Sequence, residues 1–219
     1  MEDIEKIDCC FLVTSSSKKS YQKLSETYSA IEPPTWALLL AQSTRAVGFN
    51  VKIIDANAEN LTLDEILKRI LKMSPRLICF VVYGQNVNAG TSNMSGATFV
   101  SDYLKQNKIN IPISFIGSHV QALPKETLIK EKNIDFVFTN EGVYSLRNIL
   151  KLNQITTDNL RAIKGIAFRE GNQILLNSPE KVVPNERMDI DLPGYAWDLL
   201  PYKNKPLDLY RSPMWHAEY

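Results

Sequence analysis

The residues of this chain whose types could do chemistry stand in four short polar stretches, each at the end of an apolar run. Thr14, Ser15 and Ser16 follow the first run, and Tyr83, Gly84, Gln85 and Asn86 close a later one. Gly117, Ser118, His119 and Val120 follow the next, and Thr139, Asn140, Glu141 and Gly142 the last. These stretches offer hydroxyls, amides, one imidazole and glycines, with few charges. Such a set suits a large uncharged or zwitterionic ligand held by hydrogen bonds and backbone contacts. It does not form a serine nucleophile site. Ser118 and His119 are adjacent, so their side chains diverge, and Gly117-Ser118-His119 is not a nucleophile elbow. No glycine follows the first run, which removes a dinucleotide fingerprint and a P-loop. Val13-Thr14 lacks the acids of a phospho-acceptor domain. Three cysteines, Cys9, Cys10 and Cys79, lie inside apolar runs without metal-site spacing, and two histidines cannot complete such a site.

Positioning these residues requires a particular architecture. Residues 8–14, 51–55, 77–83, 113–116 and 134–138 are apolar runs with polar bounds, the pattern of strands buried on both faces. Helical stripes lie between them. Trp36, Leu39, Leu40 and Val47 form one that Gly48 stops; Leu63, Ile66, Leu67, Ile70 and Leu71 form another that ends at Pro75. Residues 84–93 read as a long polar loop, followed by a helix over 94–106 with Phe99, Tyr103 and Leu104 as core candidates. Further helices are expected over 124–130 and from Gly142 to near Leu152. This alternation predicts an α/β fold: a doubly wound, flavodoxin-like five-stranded parallel sheet of order 2-1-3-4-5. The four polar stretches then converge on the carboxyl edge of that sheet. Residues 164–176 read as a β-hairpin around Gly171-Asn172. Beyond Ser178 prolines are frequent and periodicity is weak, so an extended linker is expected. The domain reading is therefore 1–153 for the sheet domain and 154–219 for hairpin and linker.

Composition narrows the partners. Hydrophobic residues make up 44% and charged residues 22% of the chain, with a formal net charge of +1. Lys and Arg are scattered, which argues against a nucleic acid. No apolar run approaches the roughly 20 residues that span a bilayer, and the acidic N-terminus has no signal-peptide core. Buried free thiols fit a reducing cytoplasm.

Several segments, taken in order, resemble the cobalamin-binding domain of B12-dependent radical S-adenosylmethionine proteins. Pro33-Pro34 ahead of a helix with Gly48, then residues 51–55, resembles the opening of that domain. So does Tyr83-Gly84-Gln85-Asn86 with Asn93-Met94-Ser95-Gly96-Ala97 after it. Residues 117–124 are similar to the family's Gly-Gly-Pro-His-x-x-x-x-Pro turn, with Ser118 in place of a second glycine or proline. Residues 136–142 are similar to its D-x-V-x-x-G-E-G strand, with Asn140 for the usual glycine. Residues 163–168 and 192–201 resemble its I-x-G-I-A hairpin and its L-P-x-x-x-W-D-L-L-P linker.

The resemblance implies a cobalamin lying across the carboxyl edge of the sheet, contacted by the four polar stretches. It implies no cobalt-ligating histidine from a D-x-H-x-x-G motif, because Thr14-Ser15-Ser16-Ser17 stands after the first strand. It places the [4Fe–4S] cluster and S-adenosylmethionine in a barrel that this chain lacks, supplied in cis or in trans, since Cys9, Cys10 and Cys79 cannot form C-x-x-x-C-x-x-C. The full protein is then expected to be a methyltransferase or a related radical enzyme, and Trp197 and Trp215 to pack against its barrel. Two other readings stay open: a non-catalytic flavodoxin-like sensor domain, and a flavin protein with its phosphate at residues 14–17. At single residues, His119 fits a ligand contact or a backbone-bonded turn, and Glu141 a ligand contact or a helix cap.

Overall fold

Seven strands share one sheet in the computed structural model of the chain, which describes residues 6–14, 31–83, 87–204 and 209–210. Five of them, β1 (Cys9–Val13), β2 (Val51–Asp55), β3 (Leu77–Val81), β4 (Ile113–Ile116) and β5 (Phe136–Phe138), run parallel in the order 2-1-3-4-5. Every residue of β3 and β4 is buried, as expected of strands covered on both faces. The hairpin, β6 (Ile166–Glu170) and β7 (Gln173–Leu176), is not an appendage. It extends the same sheet, with β6 antiparallel to β5 through Phe136↔Phe168 and Phe138↔Ile166. The expected five-stranded sheet is thus a seven-stranded mixed one. The physical reason is that β5, only three residues long, would otherwise present an open edge.

Helices cover both faces. On one, α1 (Thr35–Arg45) and α6 (Val143–Lys151) pack Ala37, Leu40, Leu146 and Ile149 onto Cys9, Phe11, Cys79 and Phe136. On the other, α2 (Leu63–Met73), α3 (Val87–Gln106), α4 (Ser118–Ala122) and α5 (Pro124–Lys130) pack onto Cys10, Leu12, Phe80 and Phe115. A short α7 (Thr157–Leu160) precedes the hairpin. The polar loop expected over 84–93 is helical from Val87 onward, so α3 is seven residues longer than its apolar pattern suggested. Its buried stripe is Met94, Ala97, Ser101 and Leu104; Phe99 is 62% exposed, and Tyr103 bonds Asp64 instead of entering the core. No helix among the described residues is long and apolar enough to cross a membrane.

The expected linker is a strap bound to the α1/α6 face. Within it, α8 (Met188–Asp191) ends on a buried carboxylate: Asp191 takes Arg147 at 2.6 Å, Arg187 at 2.6 Å and the Tyr144 hydroxyl at 2.7 Å. Arg147 also donates to the Ser43 carbonyl from Nε and a terminal nitrogen, at 3.2 and 2.9 Å, which joins α1, α6 and the strap. Farther along, the Ala196 amide donates to the Leu38 carbonyl at 3.2 Å and Asp198 pairs with Arg45 at 2.8 Å. The strap is why α1 is buried on more than one side, at Leu38 and Leu40 as well as Ala37 and Ala41.

Candidate functional site

Parallel strands end on one side, so the carboxyl edge collects Thr14 after β1, Tyr83 after β3, Gly117 after β4 and Thr139 after β5. The strand order reverses between β1 and β3, the place where open α/β sheets receive ligands. Of the expected site residues, Ser15, Ser16, Gly84, Gln85 and Asn86 lie outside the described residues, as do Trp215 and His216. The others are at the edge, but they do different things.

Gly117 is dictated by the protein's own backbone. A Cβ there would stand 2.0 Å from the Val82 carbonyl oxygen and 2.8 Å from its carbon. The contact arises because β3 and β4 stay zipped for one more rung, with the Val82 amide on the Ile116 carbonyl at 2.7 Å. A glycine reserved for close approach of a ligand is therefore not needed to explain this position. Next to it, Val120 turns inward and is wholly buried in the core. Ser118 and His119 are half-buried on the first turn of α4, where His119 Nδ1 lies 3.3 Å from Thr91 Oγ1 on α3.

The stretch after β5 is occupied with its own chain. The Thr139 amide donates to the Gly165 carbonyl at 2.9 Å. Asn140 accepts from the Gly142 amide at 3.0 Å through Oδ1 and donates to the Glu180 carbonyl at 3.0 Å through Nδ2. The Glu141 carboxylate accepts the Val183 amide, so it pins the strap instead of capping α6. Gly142 has φ +82°, a left-handed conformation that favours glycine, and a Cβ there would meet Ile116 Cδ1 at 2.4 Å. These residues build one wall of the edge from residues 178–184.

Between the walls runs a polar bridge. Gln121 Nε2 on α4 donates to the Tyr83 hydroxyl at 2.7 Å and to the Asn140 carbonyl at 2.6 Å, so it links the ends of β3 and β5 across α4. The Tyr83 carbonyl accepts from Asn93 Nδ2 at 3.2 Å, and its ring packs at 5.7 Å against Trp36 of α1. Burial, with the Glu141 carboxylate adding to it, pushes the Tyr83 phenol up to about 12, so it stays protonated at neutral pH. The Trp36 indole nitrogen is itself buried and has no hydrogen-bond partner among the described residues.

Sequence reasoning missed three residues here. Gln121 lay inside a stretch already singled out, four residues after Gly117, and its spacing on one helical turn was the available signal. Trp36 was read only as part of a helical stripe. Asp55, read as the last residue of a strand, is a buried carboxylate at the end of β2. It accepts from the Ala58 amide and from the Tyr210 hydroxyl, each at 3.0 Å. Burial pushes Asp55 up to about 6. The cysteines are wholly buried, and burial holds the Cys79 thiol up near 12. Among the described residues no group of three or more His, Cys, Asp or Glu could hold a metal ion.

Comparison with known proteins bears on this edge directly. The family model described as the B12 binding domain matches residues 22–150, more than half of the chain, from ahead of α1 into α6 and without β1. An uncharacterized methyltransferase of Pyrococcus horikoshii is 30% identical over 82% of this chain and 36% of its own length. An anaerobic magnesium-protoporphyrin IX monomethyl ester cyclase of Synechocystis is 26% identical over 78% of this chain and 32% of its own. The chain thus spans about a third of the curated relatives it matches. Among solved structures, the radical S-adenosylmethionine methyltransferase TsrM of Kitasatospora setae, with cobalamin and a [4Fe–4S] cluster bound, superposes with a TM-score of 0.54. That match has 14% identity and covers 82% of this chain and 30% of that one. The cobalamin-dependent S-adenosylmethionine radical enzyme OxsB superposes at 0.53, with 16% identity, over 86% of this chain and 25% of that one. The structural likenesses establish the shared fold, and the family model, which covers β2 to β5 and more than half of the chain, establishes that this chain belongs to the B12-binding domain family.

Proposed function

We propose that the chain holds cobalamin at the carboxyl edge of its sheet as the corrinoid-binding part of a radical S-adenosylmethionine protein. The observation that carries this reading is the family match over residues 22–150, which covers β2 to β5 and the loops after β3, β4 and β5. The side chains present suit the ligand. A corrin is fringed with carboxamides, which need donors and acceptors more than charges, and the edge offers the Tyr83 hydroxyl, Ser118, His119 and Thr14. The buried Trp36 indole N–H, without a partner among the described residues, is a further donor on the β1–β3 side. Bound cobalamin would supply a cobalt centre suited to methyl transfer or to tuning radical chemistry. This chain's own residues bind and orient it. No histidine follows β1, so that loop supplies no imidazole to cobalt. The cluster and S-adenosylmethionine belong to another region or another chain, because Cys9, Cys10 and Cys79 are core residues. The relatives' descriptions, one as a methyltransferase and one as a cyclase, point to alkyl-transfer or radical chemistry in the whole protein. The test is incubation with hydroxocobalamin followed by gel filtration. A corrin visible spectrum co-eluting with the protein is expected; folded protein that elutes without it overturns the reading.

A further inference from the structure

The bridge from Asn140 through Gln121 to Tyr83 has a fixed polarity. The Asn140 oxygen is a backbone carbonyl and can only accept, so the Gln121 atom 2.6 Å from it must be the amide nitrogen. That assignment does not depend on how the side-chain amide is drawn, because the flipped amide would set two acceptors against each other. The same nitrogen lies 2.7 Å from the Tyr83 hydroxyl, and its second proton points there. The hydroxyl oxygen therefore accepts, and its own proton must go elsewhere. Among the described residues no hydrogen bond takes that proton. We infer that Gln121 is a positioning residue that makes Tyr83 a hydrogen-bond donor toward the bound ligand, so that the site selects a carbonyl oxygen, such as that of a carboxamide, at the Tyr83 hydroxyl.

Two observations agree with this assignment. The phenol, held up to about 12 mainly by burial, keeps its proton over the whole physiological range. The Tyr83 ring is set by packing on Trp36, and Gln121 is anchored at both protons, so the donor is preorganised and little entropy is lost when a ligand accepts from it. The inference rests on the cobalamin reading and adds to it a specific contact and its direction.

The experiment measures hydroxocobalamin affinity by visible titration of the full chain, with unfolding of the ligand-free protein followed in parallel. Tyr83→Phe keeps the ring and removes the donor, and is expected to weaken binding about 2- to 13-fold, the range of one net hydrogen bond. The ligand-free unfolding midpoint should stay close to that of the parent. Gln121→Glu keeps the shape but reverses the polarity at both partners, since its carboxylate captures the Tyr83 proton and opposes the Asn140 carbonyl; a loss at least as large is expected at pH 7. In the Tyr83→Phe background, Gln121→Leu should cost no further affinity, because Gln121 acts through the hydroxyl. A merely structural role for Gln121 would instead lower affinity in both backgrounds. Parent protein that binds while Tyr83→Phe binds equally well overturns this inference alone. Parent protein that binds no cobalamin overturns the reading beneath it as well.

Discussion

Substituting alanine for Gly117 should damage the sheet edge before any ligand is considered. The backbone there is extended, with φ 160° and ψ 168°, a region open to any residue, so the objection is purely one of space. The added Cβ would sit 2.0 Å from the Val82 carbonyl oxygen, whereas real carbon–oxygen contacts begin beyond 3 Å. The obstacle is backbone on both sides and no rotamer relieves it, so β3 and β4 must part by about an ångström or more. Overpacking of this kind costs roughly 1–3 kcal/mol. Parting the strands also strains the rung from the Val82 amide to the Ile116 carbonyl, worth about 0.5–1.5 kcal/mol net. Together the loss is on the order of 2–4 kcal/mol, or roughly 4–16 °C in midpoint for a chain of this size. Urea unfolding of ligand-free Gly117→Ala, followed by circular dichroism with the slope checked against the parent, measures it. Stability within about 0.5 kcal/mol of the parent would refute the close-approach argument and return this glycine to a role in ligand access.

Other expectations concern the strap and the buried carboxylates. Asp191→Ala leaves the Arg147 guanidinium buried without its partner and should cost about 3–5 kcal/mol, with the strap near residues 185–200 becoming protease-sensitive; a resistant strap would contradict the anchoring role. Arg187, Tyr144 and Arg147 hold the Asp191 carboxyl well below the usual carboxylate range. Its contribution is therefore complete above about pH 4 and is lost only in strong acid, as pH falls through that lowered value. Asp55 has the opposite sign. With its folded value raised to about 6, the folded state binds more protons than the unfolded chain between roughly pH 4 and 6, and stability falls as pH rises through that window. Over the window this amounts to at most about 3 kcal/mol. Asp55→Asn should flatten that slope in urea titrations at pH 5 and pH 7.5, and an unchanged slope would contradict the assignment.

Much of the fold was legible because its central strands are buried on both faces and so appear as unbroken apolar runs. Strand β4 falls on its expected bounds, and the five parallel strands take the 2-1-3-4-5 order that a five-stranded doubly wound sheet favours. Phe99 misled because a large apolar side chain suggests the core. The stripe that faces the sheet is set by spacing, at Met94, Ala97, Ser101 and Leu104, and contains small and polar residues. The start of α3 was hidden because Asn88, Gly90, Thr91 and Asn93 are weak helix formers, and tertiary contacts such as Asn93 to the Tyr83 carbonyl override that preference. The edge itself could be placed from the sequence, since parallel strands must end together. The tasks of Asn140 and Glu141 could not, because their partners, Glu180 and Val183, lie about forty residues downstream in a segment without periodicity. The same kind of distance hid the strap, whose contacts with α1, Arg45 to Asp198 and Leu38 to Ala196, join residues more than a hundred positions apart.

The central claim is that this edge binds a corrin, and a stoichiometric titration tests it most directly. Hydroxocobalamin added to the purified chain, followed by difference spectra in the visible range, should give a saturable change that ends at one corrin per chain. Cobalamin should also raise the unfolding midpoint in proportion to the logarithm of its excess over the dissociation constant. A folded chain that shows no saturable change and no shift in midpoint would contradict the account.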